Sequence, residues 1–222
     1  MTQPYDYKWN PTLDASPLER QEPTHYCIDW DLFDENTSDR QRNEAFAVMG
    51  LTPQHTYQVL TKRPERMLEY FSDWSERTIS LIKAMASFSG KGTTAHFAET
   101  EMIIPLPNVL LGVTCENQRT ADERIPLLLQ TPAAVRFLRC EPLLEDIDLR
   151  LITGSDVEPK DFIHWVIVGG GARPCDIGWI RSIVEQCKEA EVPCFVERLG
   201  GNPEEWPEDL RVREYPKTLQ PT

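Results

Sequence analysis

The sequence lacks the patterns that mark locally built metal sites, membrane spans and secreted proteins. Its six cysteines contain no C-x-x-C pair, and its four histidines show no HxH or HExxH spacing. Zinc and iron–sulfur sites of closely spaced ligands are therefore not indicated, and we predict no metal. No run approaches the roughly 18 apolar residues of a membrane helix. The polar start also lacks the apolar core of a secretory signal, so we expect a cytoplasmic protein with reduced cysteines.

Positive charge is also scarce. The chain has 23 basic and 36 acidic residues, a net charge of −13. A field of that sign repels phosphate backbones and anionic membranes, which argues against bulk nucleic-acid binding and against membrane contact. The same charge fits a protein that presents an acidic face to a basic protein partner. Solubility alone also accounts for it, and both readings stay open.

A repeated alternation of short apolar runs and amphipathic stretches is present instead. With 222 residues and 40% hydrophobic content, the chain suits a domain with a real core. Val, Ile, Leu and Tyr in short runs are typical of buried parallel strands, and start signals such as Ser38, Pro64 and Asp176 are typical of helices. The predicted strands are 24–30, 56–61, 109–115, 135–140, 164–168 and 193–197, and the predicted helices are 38–49, 64–88, 120–130 and 176–189.

This order predicts an α/β fold with parallel strands joined by right-handed crossovers. About six strands favour a partial (β/α) barrel, with a doubly wound sheet as the alternative. The pattern breaks at 86–102 and at 149–161, which we interpret as loops. We divide the chain into an irregular N-terminal arm at 1–23, a partial α/β barrel domain at 24–201 and a C-terminal tail at 202–222.

Ligand sites of parallel α/β folds form at the carboxyl ends of the strands. Each predicted strand here is followed by polar residues or glycine, which is the strongest residue-level sign of a ligand-binding cleft. No catalytic residue is assigned on this basis. The ligand-binding candidates are Asp31, Lys62, Arg63, Glu116, Asn117, Glu141, Gly169, Gly170, Arg173, Glu197 and Arg198.

These candidates each have a functional and a structural interpretation. Lys62 and Arg63 suit a phosphate or carboxylate, or else a structural ion pair. Glu116 and Glu141 suit general bases or acceptors for ribose hydroxyls, although such carboxylates are more often structural. The glycines from Gly169 onward let a ligand approach the backbone, or else form a tight turn, and their spacing matches neither a Walker nor a dinucleotide fingerprint.

Three segments carry a resemblance to a known family. They are AFAVMGLTPQHTYQVLTKRPERM, LPNVLLGVTCENQRTADERIPLLLQTPAAVRFLRCEPLL and HWVIVGGGARPCDIGWIRSIVEQCKEAEVPCFVERLG. Together they resemble the three-Cys-motif phage proteins over roughly 31–200. The resemblance implies a radical-SAM-like partial barrel. It also implies three cysteines after a Trp-Asn-Pro tripeptide, which would hold a [4Fe–4S] cluster that binds S-adenosylmethionine.

The chain departs from that family at the cluster and ligand positions. Trp9-Asn10-Pro11 is present, but the residues that follow contain no cysteine. Gly171 runs directly into Ala172 and Arg173, without the acidic residue and extra glycine of the family. Glu197 and Arg198 stand where the family has an aromatic-Lys-Gln-Trp pattern. The resemblance therefore implies a scaffold kept and radical chemistry lost, and we predict no cofactor.

Two hypotheses of function follow from different classes. The first is a phage-type pseudoenzyme that binds a protein partner or a small anionic ligand, with inhibition of a host system as one role. The second is an enzyme of changed chemistry that acts on a small anionic or nucleotide substrate through Glu116, Glu141, Lys62 and Arg63. A radical enzyme with scattered cysteine ligands is the third and weakest.

Overall fold

Seven strands form one sheet in a computed structural model of the chain. The structure describes residues 7–11, 16–72, 74–88, 105–149, 163–171, 175–199 and 205–216. The strands are β1 (Tyr7–Trp9), β2 (His25–Ile28), β3 (Thr56–Thr61), β4 (Val109–Thr114), β5 (Val135–Cys140), β6 (Trp165–Gly169) and β7 (Cys194–Arg198).

The helices begin where the sequence offers caps. Ser38 caps α2 (Asp39–Leu51) and forms a capping box with Gln41, and Pro64 occupies the first turn of α3 (Pro64–Ser72). Asp176 caps α6 (Ile177–Glu189) by accepting from the Gly178 N–H. No helix in the described ranges is long and apolar enough to cross a membrane. The helices are α1 (Ser16–Glu19), α2 (Asp39–Leu51), α3 (Pro64–Ser72), α4 (Trp74–Phe88), α5 (Gln118–Gln130) and α6 (Ile177–Glu189).

The strands follow one another in the sheet in chain order, β1 to β7. The pairs β1–β2, β2–β3, β5–β6 and β6–β7 are parallel. Sequential order with helical crossovers is the topology of a (β/α) barrel, whereas a doubly wound sheet reverses its order partway. The predicted partial barrel is therefore confirmed, and the doubly wound alternative is wrong.

The elements differ from prediction in several places. Strand β1 and helix α1 lie inside the segment predicted to be an irregular arm, and the bounds of most other elements differ by one or two residues. The single helix predicted at 64–88 is two helices, α3 and α4. Most of the predicted loops at 86–102 and 149–161 lies outside the described residues.

The chain divides into two compact units. Unit 1 comprises residues 1–111 and 131–134, and unit 2 comprises 112–130 and 135–222. This division separates β1–β3 from β5–β7, so it runs through the predicted central domain. The predicted boundaries after residues 23 and 201 stay a prediction.

Unit 1 has two groups of buried aromatic rings, one between α2 and α3 and one on β2 and β3. Phe46 contacts Phe71 and Tyr70, with ring centroids 5.3 and 5.5 Å apart. On β3, Tyr57 stacks on Tyr26 of β2 at 5.4 Å, and its hydroxyl lies 2.6 Å from Thr52 Oγ1. The first group of rings packs α2 against α3, and the second joins β3 to β2 and to Thr52 at the end of α2.

Unit 2 has two distinct sheet faces because side chains alternate along its strands. One face carries an aromatic row of Phe137, Trp165 and Phe195, whose neighbouring rings lie 6.1 and 6.3 Å apart. The edge of β7 is covered by an antiparallel bridge between Phe195 and Arg213. The aromatic row fixes the register of β5, β6 and β7, and with it the polar side chains one pleat further along the same face.

Candidate functional site

Unit 1 brings four of its strand-end groups together around one carboxylate. Asp31 accepts hydrogen bonds from the backbone N–H groups of Phe33 and Lys62, at 2.9 and 3.2 Å. It also accepts from Thr61 Oγ1 at 2.7 Å and from Arg63 Nη1 at 2.8 Å. Both carboxylate oxygens are therefore fully used within the protein, and Asp31 joins the end of β2 to the end of β3.

Arg63 is likewise bound on two sides. Its Nη2 forms a 2.6 Å ion pair with Asp34, in addition to the pair with Asp31. Hydrogen bonds from Asn36 lower the pKa of Asp34 below its usual value, and Arg63 adds to that effect. This guanidinium is neutralised by two carboxylates, which favours the structural ion pair over an anion site at Arg63.

A second pair lies at the end of β4, in unit 2. Glu116 is buried and accepts from Arg124 Nη1 at 2.9 Å and from Thr114 Oγ1 at 3.3 Å. Asn117 caps α5, because its Oδ1 accepts from the Thr120 N–H at 2.9 Å. Both candidates thus have local partners that fix the start of α5 against β4.

The third set joins β5 to β7. Arg139 Nη2 forms ion pairs with Glu141 at 2.6 Å and with Glu197 at 2.7 Å. Arg213 stacks at 4.5 Å over Phe195, two residues before Glu197 on the same strand, and its charge interacts with Glu197. Two carboxyl groups thus share one guanidinium nitrogen. We call Arg139, Glu141 and Glu197 the acid-pair cluster.

The acid-pair cluster holds a proton near neutral pH. Burial raises the pKa of Glu197 to about 7, and the Glu141 carboxylate beside it adds to the increase, while Arg139 opposes it. A protonated Glu197 can donate a hydrogen bond to Glu141, which removes the repulsion between like charges. The cluster therefore combines an acid and a base at one sheet edge.

Gly169 on β6 makes room for this contact. A Cβ at this position would lie 3.0 Å from Arg198 O, 3.1 Å from Arg198 N and 3.3 Å from Glu141 Oε1. Only a residue without a side chain lets the β7 backbone and Glu141 come this close. Gly170 donates to Arg198 O at 2.8 Å, which uses its N–H in the sheet rather than for an anion. The glycines thus serve close packing of the strand ends.

Sequence reasoning missed Arg124 and Arg139, the two arginines that pair with the candidate glutamates of unit 2. Arg139 lies inside a predicted strand, two residues before Glu141, and this spacing places both side chains on one face. Arg124 lies on α5, one turn beyond the buried Thr120 and Ala121. The two-residue spacing between Arg139 and Glu141 was a signal that could have identified Arg139 as a site residue. Among the candidates, Arg173 lies outside the described residues.

The residues do not fit the iron–sulfur cluster implied by the resemblance. All six cysteines are free thiols, and the described residues contain no group of three or more His, Cys, Asp or Glu arranged to hold a metal ion. Burial raises the pKa of Cys140 to about 12, which disfavours the thiolate that ligation needs. No chemical step is therefore derived through a cluster or S-adenosylmethionine, and the absence of a cofactor stays a prediction.

The topology and the strand-end clusters define an α/β protein of the partial (β/α) barrel class. Within that class, the chain belongs to the family described as "Protein of unknown function (DUF5131)", whose model matches residues 4–218. No curated protein and no solved structure matches the chain. The likeness to the three-Cys-motif phage proteins stays a prediction.

Proposed function

We propose that the chain is a binding protein without catalytic activity, which uses its scaffold to recognise a protein partner. One observation carries the proposal: five of the charged candidates at the strand ends already form ion pairs within the protein. Arg63 is bound by Asp31 and Asp34, Glu116 by Arg124, and Arg139 by Glu141 and Glu197. A group that already has a close ionic partner gains little from a ligand and loses its existing contacts.

The same pairing argues against the small anionic ligand as the first choice. An anion at Arg63 or Arg139 must displace a carboxylate that lies 2.6 to 2.8 Å away. The net charge of −13 adds long-range repulsion for such a ligand. A basic protein surface meets no such obstacle, since the same field steers it towards the chain.

Affinity purification from the native cell tests the proposal. We expect a stoichiometric partner with a basic surface, whose association weakens as ionic strength rises because the attraction is screened. Calorimetry of the purified chain with phosphate, ATP and S-adenosylmethionine should show no binding. Binding of any of these that Arg63→Gln or Arg139→Gln abolishes would overturn the proposal, as would cleavage of S-adenosylmethionine by an anaerobically reconstituted sample.

The second candidate function is an enzyme that uses the acid-pair cluster. The observation that favours it is the pKa of about 7 at Glu197, beside Glu141. A carboxylic acid with a pKa near the working pH suits general acid–base catalysis. Glu197 would donate a proton while Glu141 accepts one.

Turnover of a nucleotide panel, followed by phosphorus NMR, tests this candidate. If the cluster is catalytic, Glu197→Gln should abolish turnover and wild-type rates should bend near the pKa of Glu197. Glu208→Gln removes an exposed carboxylate of the same unit and is the matched control. Equal loss in both variants, or no turnover at all, would remove the candidate.

A further inference from the structure

Two of the six cysteines are in contact with each other in unit 2. Cys187 lies in the last turn of α6, and Cys194 is the first residue of β7. The Cys187 thiol forms a side-chain hydrogen bond with Cys194. The Val192 N–H donates to Cys187 O at 2.9 Å, which holds the turn that joins α6 to β7. Sulfur atoms in such contact meet the first requirement for a disulfide, which is that the two side chains point towards each other.

Both cysteines also line one cavity, which gives a small reagent a route to them. The cavity has a volume of about 810 Å³ and is lined by residues of α6, β7 and the segment 209–215. Val184 and Val192 line it together with the two thiols. Each cysteine is only 2% exposed, so the cavity is the side from which a reagent reaches the pair.

The other four cysteines do not line this cavity, and all six lie in the described ranges. Cys140 is the next cysteine whose charge would act on Cys187. It pairs with Val168 of β6, which in turn pairs with Val196 of β7. Because one whole strand lies between β5 and β7, Cys140 is about 9 to 10 Å or more from Cys194, which is beyond the reach of a disulfide.

The pair is held as neutral thiols. The hydrogen bond with Cys194 raises the pKa of the Cys187 thiol well above its usual value, and burial and the Glu214 charge add to the increase. Cys187 also lies at the C-terminal end of α6, where the helix dipole disfavours a negative charge. The thiolate is the species that attacks a disulfide, so exchange at this pair is slow at neutral pH. The pair therefore responds to sustained oxidation rather than to brief exposure.

We propose that Cys187 and Cys194 are a redox-sensitive modification site, which forms a disulfide by exchange with a low-molecular-weight disulfide. One cysteine loses its proton and attacks the reagent, whose S–S bond breaks, and the first reagent thiolate leaves and takes up a proton. The second cysteine loses its proton, attacks the mixed disulfide and releases the other reagent thiol. Two electrons pass to the reagent, and the new S–S bond ties the end of α6 to β7. This site is separate from the partner recognition proposed above.

Treatment of native wild-type protein with oxidised glutathione at about pH 8, where more thiol is ionised, tests the proposal. Remaining thiols are then alkylated in denaturant, and peptide mapping by mass spectrometry locates the cross-link. We expect a Cys187–Cys194 cross-linked peptide with the other four cysteines alkylated, whereas untreated protein has all six alkylated. Excess dithiothreitol should restore alkylation of all six. The treated protein should also have a higher Tm, because the disulfide restricts the unfolded chain.

Variants of each cysteine complete the test. Cys187→Ala and Cys194→Ala should each abolish the cross-link and the rise in Tm. Cys175→Ala is the matched control, because it removes a more exposed thiol that does not line the cavity, and it should behave as wild type does. Three results for treated wild type would overturn the proposal: six alkylated cysteines, a cross-link between any other pair, or a glutathione adduct that stops at one cysteine. Circular dichroism before and after treatment shows that the cross-link forms in folded protein.

Discussion

The strand ends of the two units pair their charged side chains in different ways. In unit 1, Asp31 takes four hydrogen bonds and Arg63 is held by two carboxylates, so both of these charged groups have fixed partners. In unit 2, Glu141 and Glu197 share a single arginine nitrogen, and burial raises the pKa of Glu197 to about 7. The first arrangement, which we call the rigid joint, holds the ends of β2 and β3 together through fixed contacts of Asp31 and Arg63. In the second arrangement, the charge of Glu197 changes with pH.

One buried titratable group in each unit makes the stability of the fold depend on pH, and the two dependences have opposite signs. Burial lowers the pKa of His25 on β2 to about 4 and raises the pKa of Glu197 on β7 to about 7. As pH falls below the ordinary pKa of histidine, the unfolded chain takes up a proton that folded His25 refuses, and stability decreases. As pH rises towards 7, folded Glu197 holds a proton that the unfolded chain has released, and stability also decreases.

The largest effect is expected where the joint of unit 1 is broken. Asp31→Ala leaves Arg63 and three other donors without their acceptor, which should lower the free energy of unfolding by about 3 kcal/mol. Urea denaturation followed by circular dichroism measures this change. Asp29→Ala is the control, because it breaks only the exposed ion pair with Lys8. Equal losses in both variants would contradict the rigid-joint interpretation.

Much of this fold could be predicted from the sequence, because the signals for most strands and helices lie within short stretches of the chain. Strands β3 and β5 match the predicted bounds to the residue, because each short run is followed at once by a charged residue, Lys62 or Glu141. Strand β1 is only three residues long and carries no period. That strand depends on its pairing with β2, which is distant in sequence.

The positions of the candidate site residues could be predicted from the sequence, but their ion-pair partners could not. Asp31, Glu116, Glu141 and Glu197 all lie where strand ends were expected, because strand polarity fixes which residues follow each strand. Which cation neutralises which carboxylate depends on strand register and helix placement. The spacing of residues in sequence does not reveal that Arg139 reaches from β5 across to Glu197 on β7.

The second prediction isolates the acid-pair cluster. Gln resembles the protonated acid, so Glu197→Gln should stabilise the protein relative to wild type at about pH 8, by roughly 2 kcal/mol, with little effect at about pH 5. Folded Glu197 must ionise at the higher pH, whereas glutamine never does. Urea unfolding at both pH values measures the difference. A stability difference that does not change with pH would show that Glu197 titrates normally.

The third prediction concerns His25, the group in unit 1 whose effect on stability also depends on pH. His25→Gln removes a side chain that folded protein keeps neutral, so the variant should lose less stability than wild type between about pH 7 and pH 5, by roughly 1 kcal/mol. The sign is opposite to that of Glu197, whose folded form gains from acid over the same range. His164→Gln is a useful comparison, because burial also lowers the pKa of His164, in unit 2. If the stability of His25→Gln and of wild type changed with pH in parallel, the lowered pKa of His25 would be refuted.

The fourth prediction concerns the glycine that lets the acid-pair cluster form. Gly169→Ala places a Cβ against the Arg198 backbone, which cannot yield as a side chain can, so we expect a loss of about 1 kcal/mol. The added methyl also crowds Glu141, so the pH dependence assigned to Glu197 should shrink. Comparing Gly169→Ala with Gly169→Ala plus Glu197→Gln measures this coupling. Additive effects would mean that Gly169 serves only the backbone packing of β6 and β7.

The smallest effect is expected at a charge pair outside both clusters. Arg181 and Asp209 lie 2.5 Å apart, yet both side chains are largely exposed. Water and salt screen such a pair, and holding two long side chains together costs entropy. Asp209→Asn should therefore leave the midpoint of urea unfolding unchanged at any salt concentration. A loss as large as that of Asp31→Ala would mean that short ion-pair distance, rather than burial and the number of hydrogen bonds, sets the strength of these contacts.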